Sequence, residues 1–135
     1  MKLGFTGTQK GMTSEQKLVV EKIMPKATEF HHGCCIGADF QAGQIANELQ
    51  IDTIILHPPT NTSKMAKCEG NESREAKPYL DRNHDIVDET DILLATPKEF
   101  SEELRSGTWA TIRYAKRNKK VVIVVWPDGK FDRFN

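Results

Sequence analysis

The chain has 135 residues, of which 38% are hydrophobic and 28% are charged, and its formal net charge is zero. This length predicts a single domain, residues 1–135, with a core of its own. The zero net charge disfavours a protein that coats DNA or RNA, because such proteins usually carry a basic excess. A small anionic ligand held by a few local hydrogen-bond donors is compatible with this composition.

The sequence also argues against membrane insertion, secretion and a disulfide framework. No apolar run reaches the roughly 18 residues that a membrane-spanning helix needs, and the first residues lack the pattern of a secretion signal. We therefore expect a cytoplasmic protein with no membrane partner. The cysteines are Cys34, Cys35 and Cys68, an odd number with two adjacent, which does not fit a disulfide framework. No cysteine or histidine spacing matches a metal motif, and the sequence predicts neither a metal nor a cofactor.

Short apolar segments alternate with amphipathic segments along the chain, which predicts alternating strands and helices. The predicted strands are residues 2–7, 28–32, 52–57, 91–96 and 121–125. The predicted helices run from about Ser14 to Lys26, from the turn at 33–39 to about Leu49, over 79–89, and between 108 and 120. Leu18, Leu49 and Leu80 are expected on the buried faces of three of these helices. Residues 58–77 form a long polar connection, and no element is assigned to residues 126–135.

This alternation predicts an α/β fold in which helices cover both faces of a parallel sheet. Right-handed crossovers favour a Rossmann-like three-layer sandwich whose five-stranded parallel sheet has the order 3-2-1-4-5. Ligands bind such sheets at the carboxyl ends of the strands, where the winding reverses. Turns with glycine follow three of the strands, at 6–9, 33–39 and 106–108. We expect these turns to converge on one edge of the sheet.

The turn at 106–108 is the strongest candidate for contact with an anion. Ser106 and Thr108 are residue types that begin helices, and Gly107 allows close approach to the backbone. The first N–H groups of a helix lack intrahelical partners and can bind phosphate. A plain helix cap would explain this turn by itself. The glycine turns elsewhere favour contact with a phosphate or a ribose.

Several other candidates have an ordinary structural explanation as well. Asp39 is more readily explained as a helix cap, and Trp109 as a core residue. Arg82 could be a phosphate fork or part of a solvated, salt-bridged helix face, with no preference between them. The complete set of candidate ligand-binding residues is Thr6, Gly7, Thr8, Gln9, Gly33, Cys34, Gly37, Asp39, His57, Arg82, Asn83, Arg105, Ser106, Gly107, Thr108 and Trp109.

Three motifs, in this order along the chain, resemble those of the SLOG superfamily of Rossmann-like proteins. They are the glycine turn within 32–39, the pair Arg82-Asn83, and the turn Arg105-Ser106-Gly107-Thr108. The chain looks closest to the Rossmann core of the bacterial DNA-processing protein A and to the YspA-like group, over roughly residues 2–127. The resemblance implies a pocket for a nucleotide or a nucleotide-derived ligand. It also implies a homo-oligomer. The connections 58–77 and 97–105 would cover that pocket.

The resemblance leaves three functions open. The lonely-guy phosphoribohydrolases of this superfamily place a Glu three residues after the Thr of the last turn, a position that is Thr111 here. Threonine cannot activate water well, so a nucleotide glycosidic-bond hydrolase would need Glu102, Glu103 or Asp85. Other members bind single-stranded DNA. The missing Glu and the neutral charge favour a sensor or sequestering protein for a nucleotide.

Overall fold

The computed structural model describes residues 1–135 and contains seven strands and four α-helices. The strands are β1 (Lys2–Gly7), β2 (Glu29–His32), β3 (Thr53–Leu56), β4 (Glu72–Ser73), β5 (Ile92–Thr96), β6 (Val121–Val125) and β7 (Phe131–Phe134). The helices are α1 (Ser14–Ile23), α2 (Ala38–Glu48), α3 (Tyr79–Asp88) and α4 (Gly107–Arg117). Short 3-10 helices are present at Met24–Lys26 and Thr62–Lys64.

All strands form one sheet in the order β4-β3-β2-β1-β5-β6-β7. Every neighbouring pair is parallel except β6 and β7, which are antiparallel. The predicted five-stranded, wholly parallel sheet is therefore wrong in strand number and in its full order. The two additional strands lie at the edges, one from the polar connection and one from the unassigned tail. The α/β class and the adjacency of β1 and β5 at the centre agree with the prediction.

Helices pack on both faces of the sheet and divide the core into two clusters. One cluster joins α1 and α2 to the sheet through side chains such as Val20, Ala42 and Leu94. The other joins α3 and α4 to the opposite face through side chains such as Ile86 and Leu93. Neighbouring residues of one strand thus enter opposite clusters, because side chains alternate across a strand. Burial on both faces explains the continuous apolar runs in the sequence.

Three residues expected on buried helix faces are exposed instead, Leu18 at 58%, Leu49 at 41% and Leu80 at 54%. In α1 the buried polar residue is Gln16, whose side-chain nitrogen donates to the carbonyls of Pro97 (2.8 Å) and Val125 (2.9 Å). These bonds fix which face of α1 meets the sheet, and Leu18 then points away. None of the helices has both the length and the apolar character needed to cross a bilayer.

Candidate functional site

A cavity of about 460 Å³ opens at the carboxyl ends of β1 and β5. Its position is the point at which the winding of the sheet reverses, the usual ligand site of open α/β sheets. The lining residues come from the turn after β1, the first residue of α3, the connection after β5 and the start of α4. They are Gly7, Thr8, Gln9, Lys10, Tyr79, Lys98, Glu103, Arg105, Ser106, Gly107 and Thr108.

The turn after β1 is held against the end of β5. The Thr8 N–H donates to the carbonyl of Thr96 (3.1 Å), and the Thr8 hydroxyl accepts from the Lys10 N–H (3.1 Å). A Cβ at Gly7 would overlap the Thr96 hydroxyl, so glycine is required for this close approach. The turn thereby places Gln9 and Lys10 at the cavity wall.

The N-terminus of α4 forms the facing wall. Ser106 caps the helix, since its hydroxyl accepts from the Trp109 N–H (3.2 Å). The backbone N–H groups of Gly107 and Thr108 donate no hydrogen bond within the protein. Unpartnered N–H groups at a helix start carry partial positive charge. This end of the cavity is therefore suited to an anion.

The charged side chains around the cavity are mostly cationic. Lys10, Lys98 and Arg105 line it together with a single carboxylate, Glu103. Glu103 lies 3.6 Å from the ammonium group of Lys98. Lys10 and Arg105 make no ion pair. The local charge is thus positive even though the chain as a whole is neutral.

Three lining residues were not among the sequence candidates, namely Lys10, Tyr79 and Lys98. Two of them were recognisable as cations just after a predicted strand, in the turn after β1 and after β5. Tyr79 had no such signal. Its ring packs over Gly107, where a Cβ would overlap the Tyr79 hydroxyl, and the Arg82 guanidinium lies 4.7 Å from the centre of the ring.

Arg82 lies outside the cavity and is 2% exposed. One guanidinium nitrogen, Nη1, donates to the carbonyl of Gly33 and to that of His57 (3.1 Å). The other, Nη2, donates to the sulfur of Cys35 (3.1 Å). These acceptors belong to the carboxyl ends of β2 and β3, so Arg82 ties both strand ends to α3. This arrangement is structural, but it is not the solvated, salt-bridged face that the sequence offered as the alternative to a phosphate fork, because Arg82 is buried and forms no ion pair.

Asp39 is buried beside this cluster, and its Oδ2 accepts from the Cys35 N–H (3.2 Å). Burial raises the pKa of Asp39 to about 6, although the nearby Arg82 guanidinium opposes the change. The carboxylate therefore orders the glycine turn before α2. It does not line the cavity.

The turn at 33–37 packs behind the turn after β1. Gly37 has a φ of 87°, and a Cβ there would overlap the carbonyl of Gln9. The Ala38 N–H donates to the carbonyl of Thr8 (2.9 Å). This turn was expected to contact a phosphate, but it packs on the turn after β1 and does not line the cavity. The candidates that do not line the cavity are Thr6, Gly33, Cys34, Gly37, Asp39, His57, Arg82, Asn83 and Trp109.

Of the two connections expected to cover the pocket, only one reaches it. The segment 97–105 contributes Lys98, Glu103 and Arg105 to the wall. The segment 58–77 packs instead on the turn after β2, where the Ile36 N–H donates to the carbonyl of Lys64 (2.9 Å). Trp109 is a core residue, 4% exposed.

Thr111 occupies the position at which the lonely-guy phosphoribohydrolases carry a Glu, and its hydroxyl group is hydrogen-bonded within α4. The Thr111 hydroxyl donates to the carbonyl of Gly107 (2.9 Å). Among the alternative carboxylates, Glu102 pairs with Arg113 (2.7 Å) and Asp85 pairs with Lys77 (2.6 Å). Glu103 is thus the only one of the three that lines the cavity.

Comparison with known proteins identifies the fold. No protein-family model matches the chain, and no curated protein matches it significantly. Among solved structures, the molybdenum cofactor binding protein from the phototrophic bacterium Rippkaea orientalis superposes with a TM-score of 0.72 at 17% identity, over 93% of this chain and 76% of that chain. The molybdenum cofactor carrier protein from Chlamydomonas reinhardtii gives 0.64 at 17% identity, over 91% and 74%.

DNA processing protein A from Streptococcus pneumoniae gives a TM-score of 0.64 at 16% identity, over 91% of this chain. The match covers 49% of that protein, so this chain spans about half of its length. At such identities the likeness establishes the fold alone. The chain has a Rossmann-like α/β fold, which these solved structures share.

Proposed function

We propose that this chain binds a nucleotide or a nucleotide-derived small molecule by its phosphate, as a sensor or a sequestering protein. The observation that carries the proposal is the pair of unpartnered N–H groups at Gly107 and Thr108. They face a cavity lined by three cationic side chains and one carboxylate. Backbone donors and local positive charge at a helix start are the features that bind phosphate.

The structural neighbours support a small-molecule ligand. Two of them are molybdenum cofactor proteins. Binding without turnover is supported by Thr111, whose hydroxyl is bonded to the backbone where related hydrolases carry a carboxylate. A ligand held in this way would be released unchanged.

A thermal-shift screen tests the proposal. The probes are mononucleotides, dinucleotides, cyclic nucleotides, an ADP-ribose-type ligand and inorganic phosphate. A ligand at a hundred times its dissociation constant adds about 2.7 kcal/mol to the free energy of unfolding, which raises Tm by several degrees for a domain of this size. We expect at least one phosphorylated probe to produce this shift.

Matched variants locate the binding site. Thr108→Glu and Arg105→Glu each bring negative charge into the cavity and should abolish the shift. Thr60→Glu adds the same charge at an exposed position outside the cavity and should leave the shift unchanged. Equal shifts in all the variants, or none with any probe, would contradict the proposal.

A second candidate function is hydrolysis of a nucleotide glycosidic bond, favoured by the position of Glu103 in the cavity. A carboxylate could activate water there. Incubation with the nucleotide that binds would then release free base, and Glu103→Gln would stop that release. Recovery of intact nucleotide would instead support the sensor.

Single-stranded DNA binding and a homo-oligomer stay predictions from the resemblance. The first is checked by gel shift at low salt and the second by sedimentation.

A further inference from the structure

The structure brings together two cysteines that are distant in sequence. Cys68 belongs to the connection 58–77, and that connection packs on the turn that contains Cys34. The Ala66 N–H donates to the carbonyl of Cys34 (2.8 Å), and the Cys34 thiol donates to the carbonyl of Ala66 (3.6 Å). Both cysteines line an open cavity of about 400 Å³ on this face. The cavity is separate from the proposed phosphate site.

The surroundings distinguish Cys34 from its neighbour in sequence. Interaction with the Cys68 thiol is the main factor that lowers the pKa of Cys34, with further help from the Cys68 backbone and the Arg82 guanidinium. Burial and the Asp39 carboxylate oppose that change. Burial raises the pKa of Cys35, and its sulfur accepts from Arg82 (3.1 Å). Cys34 is therefore the thiol of this adjacent pair that more readily becomes a thiolate.

We propose that Cys34 and Cys68 are a redox pair that forms a reversible intramolecular disulfide on reaction with a small hydroperoxide. The Cys34 thiolate attacks the peroxide oxygen, the O–O bond breaks, and Cys34 becomes a sulfenic acid while the other oxygen leaves as an alcohol or water. The Cys68 thiol then attacks the sulfenic sulfur, and its proton leaves with the hydroxyl group as water. Two thiols are oxidised by two electrons, and one peroxide is reduced.

Formation of this bond would fix the connection 58–77 to the turn after β2. A cross-link between distant residues stabilises a protein mainly by restricting the unfolded chain. We therefore expect the oxidised protein to melt several degrees above the reduced one. This readout requires no ligand, so the inference can fail while the proposed function holds, and the reverse is also true.

The test treats the reduced full chain with a small excess of hydrogen peroxide. Free thiols are then alkylated, counted by intact mass, and mapped by non-reducing proteolysis with tandem mass spectrometry. We expect two of the three thiols to be lost in a linked pair of peptides that contain Cys34 and Cys68. Dithiothreitol should restore all three thiols and return Tm to the reduced value.

Single-cysteine variants separate the alternatives, because each Cys→Ser change is small and circular dichroism checks the fold. Cys35→Ser should keep the link and the change in Tm, whereas Cys34→Ser and Cys68→Ser should each lose both. A Cys35–Cys68 link, a disulfide between two chains, three unreacted thiols, or sulfinic acid without a link would each overturn the proposal.

Discussion

The guanidinium of Arg82, on α3, donates a hydrogen bond to the backbone carbonyl of Gly33, at the end of β2. No space for a side chain is left at Gly33, where a Cβ would overlap the same guanidinium. Gly33 and Arg82 belong to two of the three motifs that resemble those of the SLOG superfamily, so these two motifs are in direct contact. The glycine turn at 33–37 also contacts the turn after β1, and the turn after β1 lines the cavity.

Replacement of Arg82 should lower the stability of the protein, because its hydrogen bonds go to other protein groups and not to the cavity. Arg82→Lys retains the charge but cannot supply donors to Gly33, His57 and Cys35 together. Buried acceptors left without a donor cost about 1–3 kcal/mol each, so we expect a loss of about 3 kcal/mol in the free energy of unfolding, measured with urea. Arg105→Lys, at an exposed position, is the control and should change stability by less than about 0.5 kcal/mol. An equally stable Arg82→Lys protein would argue for a free phosphate fork.

The central part of the fold was predictable mainly because β3, β5 and β6 are continuous or nearly continuous apolar segments. The edge strands were not. β4 consists of the two exposed residues Glu72 and Ser73, and β7 has the sequence Phe-Asp-Arg-Phe with mostly exposed side chains. Neither carries a hydrophobic pattern. Their pairing depends on backbone hydrogen bonds to β3 and β6, which the residue types do not reveal.

Part of the lining of the cavity could be predicted from the topology of the sheet. Thr8 directly follows β1, and Thr108 stands at the start of the helix that follows β5, so a parallel sheet brings both to one edge. The function of Arg82 could not be predicted, because its partners are mainly backbone carbonyls, which carry no sequence signal. Tyr79 was missed for a similar reason, since only the approach of α3 to Gly107 places it at the cavity.

Gly37 should be among the least replaceable glycines of the chain. Gly37→Ala places a methyl group against the carbonyl of Gln9 at a φ of 87°. We expect the conformational cost of about 1–2 kcal/mol together with about 1–3 kcal/mol for the overlap. Gly11→Ala is a matched control, because Gly11 has a φ of 95° but faces the flexible side chain of Gln41. Urea unfolding that gave equal losses would show that the backbone contact is unimportant.

Stability should fall as the pH is lowered below about 6.5. Burial lowers the pKa of His32 to about 3 and that of His57 to about 4, so both rings are neutral in the folded protein and protonate on unfolding. Asp39 acts in the opposite direction between its ordinary pKa of 3.8 and about 6, because its folded form holds the proton more tightly. Between pH 6 and 4 the unfolded chain should therefore bind about one more proton, which corresponds to about 1.4 kcal/mol per pH unit.

Two variants test the assignment of this pH dependence. His32→Asn keeps an acceptor near the Cys34 N–H, which donates to His32 Nδ1 (3.1 Å), and should flatten the slope. Asp39→Asn removes the opposing group and should make the slope steeper. The measurement is the free energy of urea unfolding at pH 5, 6 and 7. Stability that is constant or increases on acidification would contradict the burial of neutral histidines.

The contact between Tyr79 and Gly107 should be measurable by a double-mutant cycle. Gly107→Ala places a methyl group into the Tyr79 hydroxyl, and the ring cannot move freely because it packs beneath the Arg82 guanidinium. We expect this change to lower the free energy of unfolding by about 1–3 kcal/mol, the usual cost of overpacking. Tyr79→Ala should cost less, since the side chain is 39% exposed.

The double variant is the decisive measurement, because removal of the ring leaves space for the added methyl group. Gly107→Ala should then cost less than about 1 kcal/mol in the Tyr79→Ala background, which corresponds to a coupling energy of about 1–2 kcal/mol. Losses that simply add would mean that the tyrosine does not rest on the start of α4. In that case Tyr79 would line the cavity without supporting the N-terminus of α4.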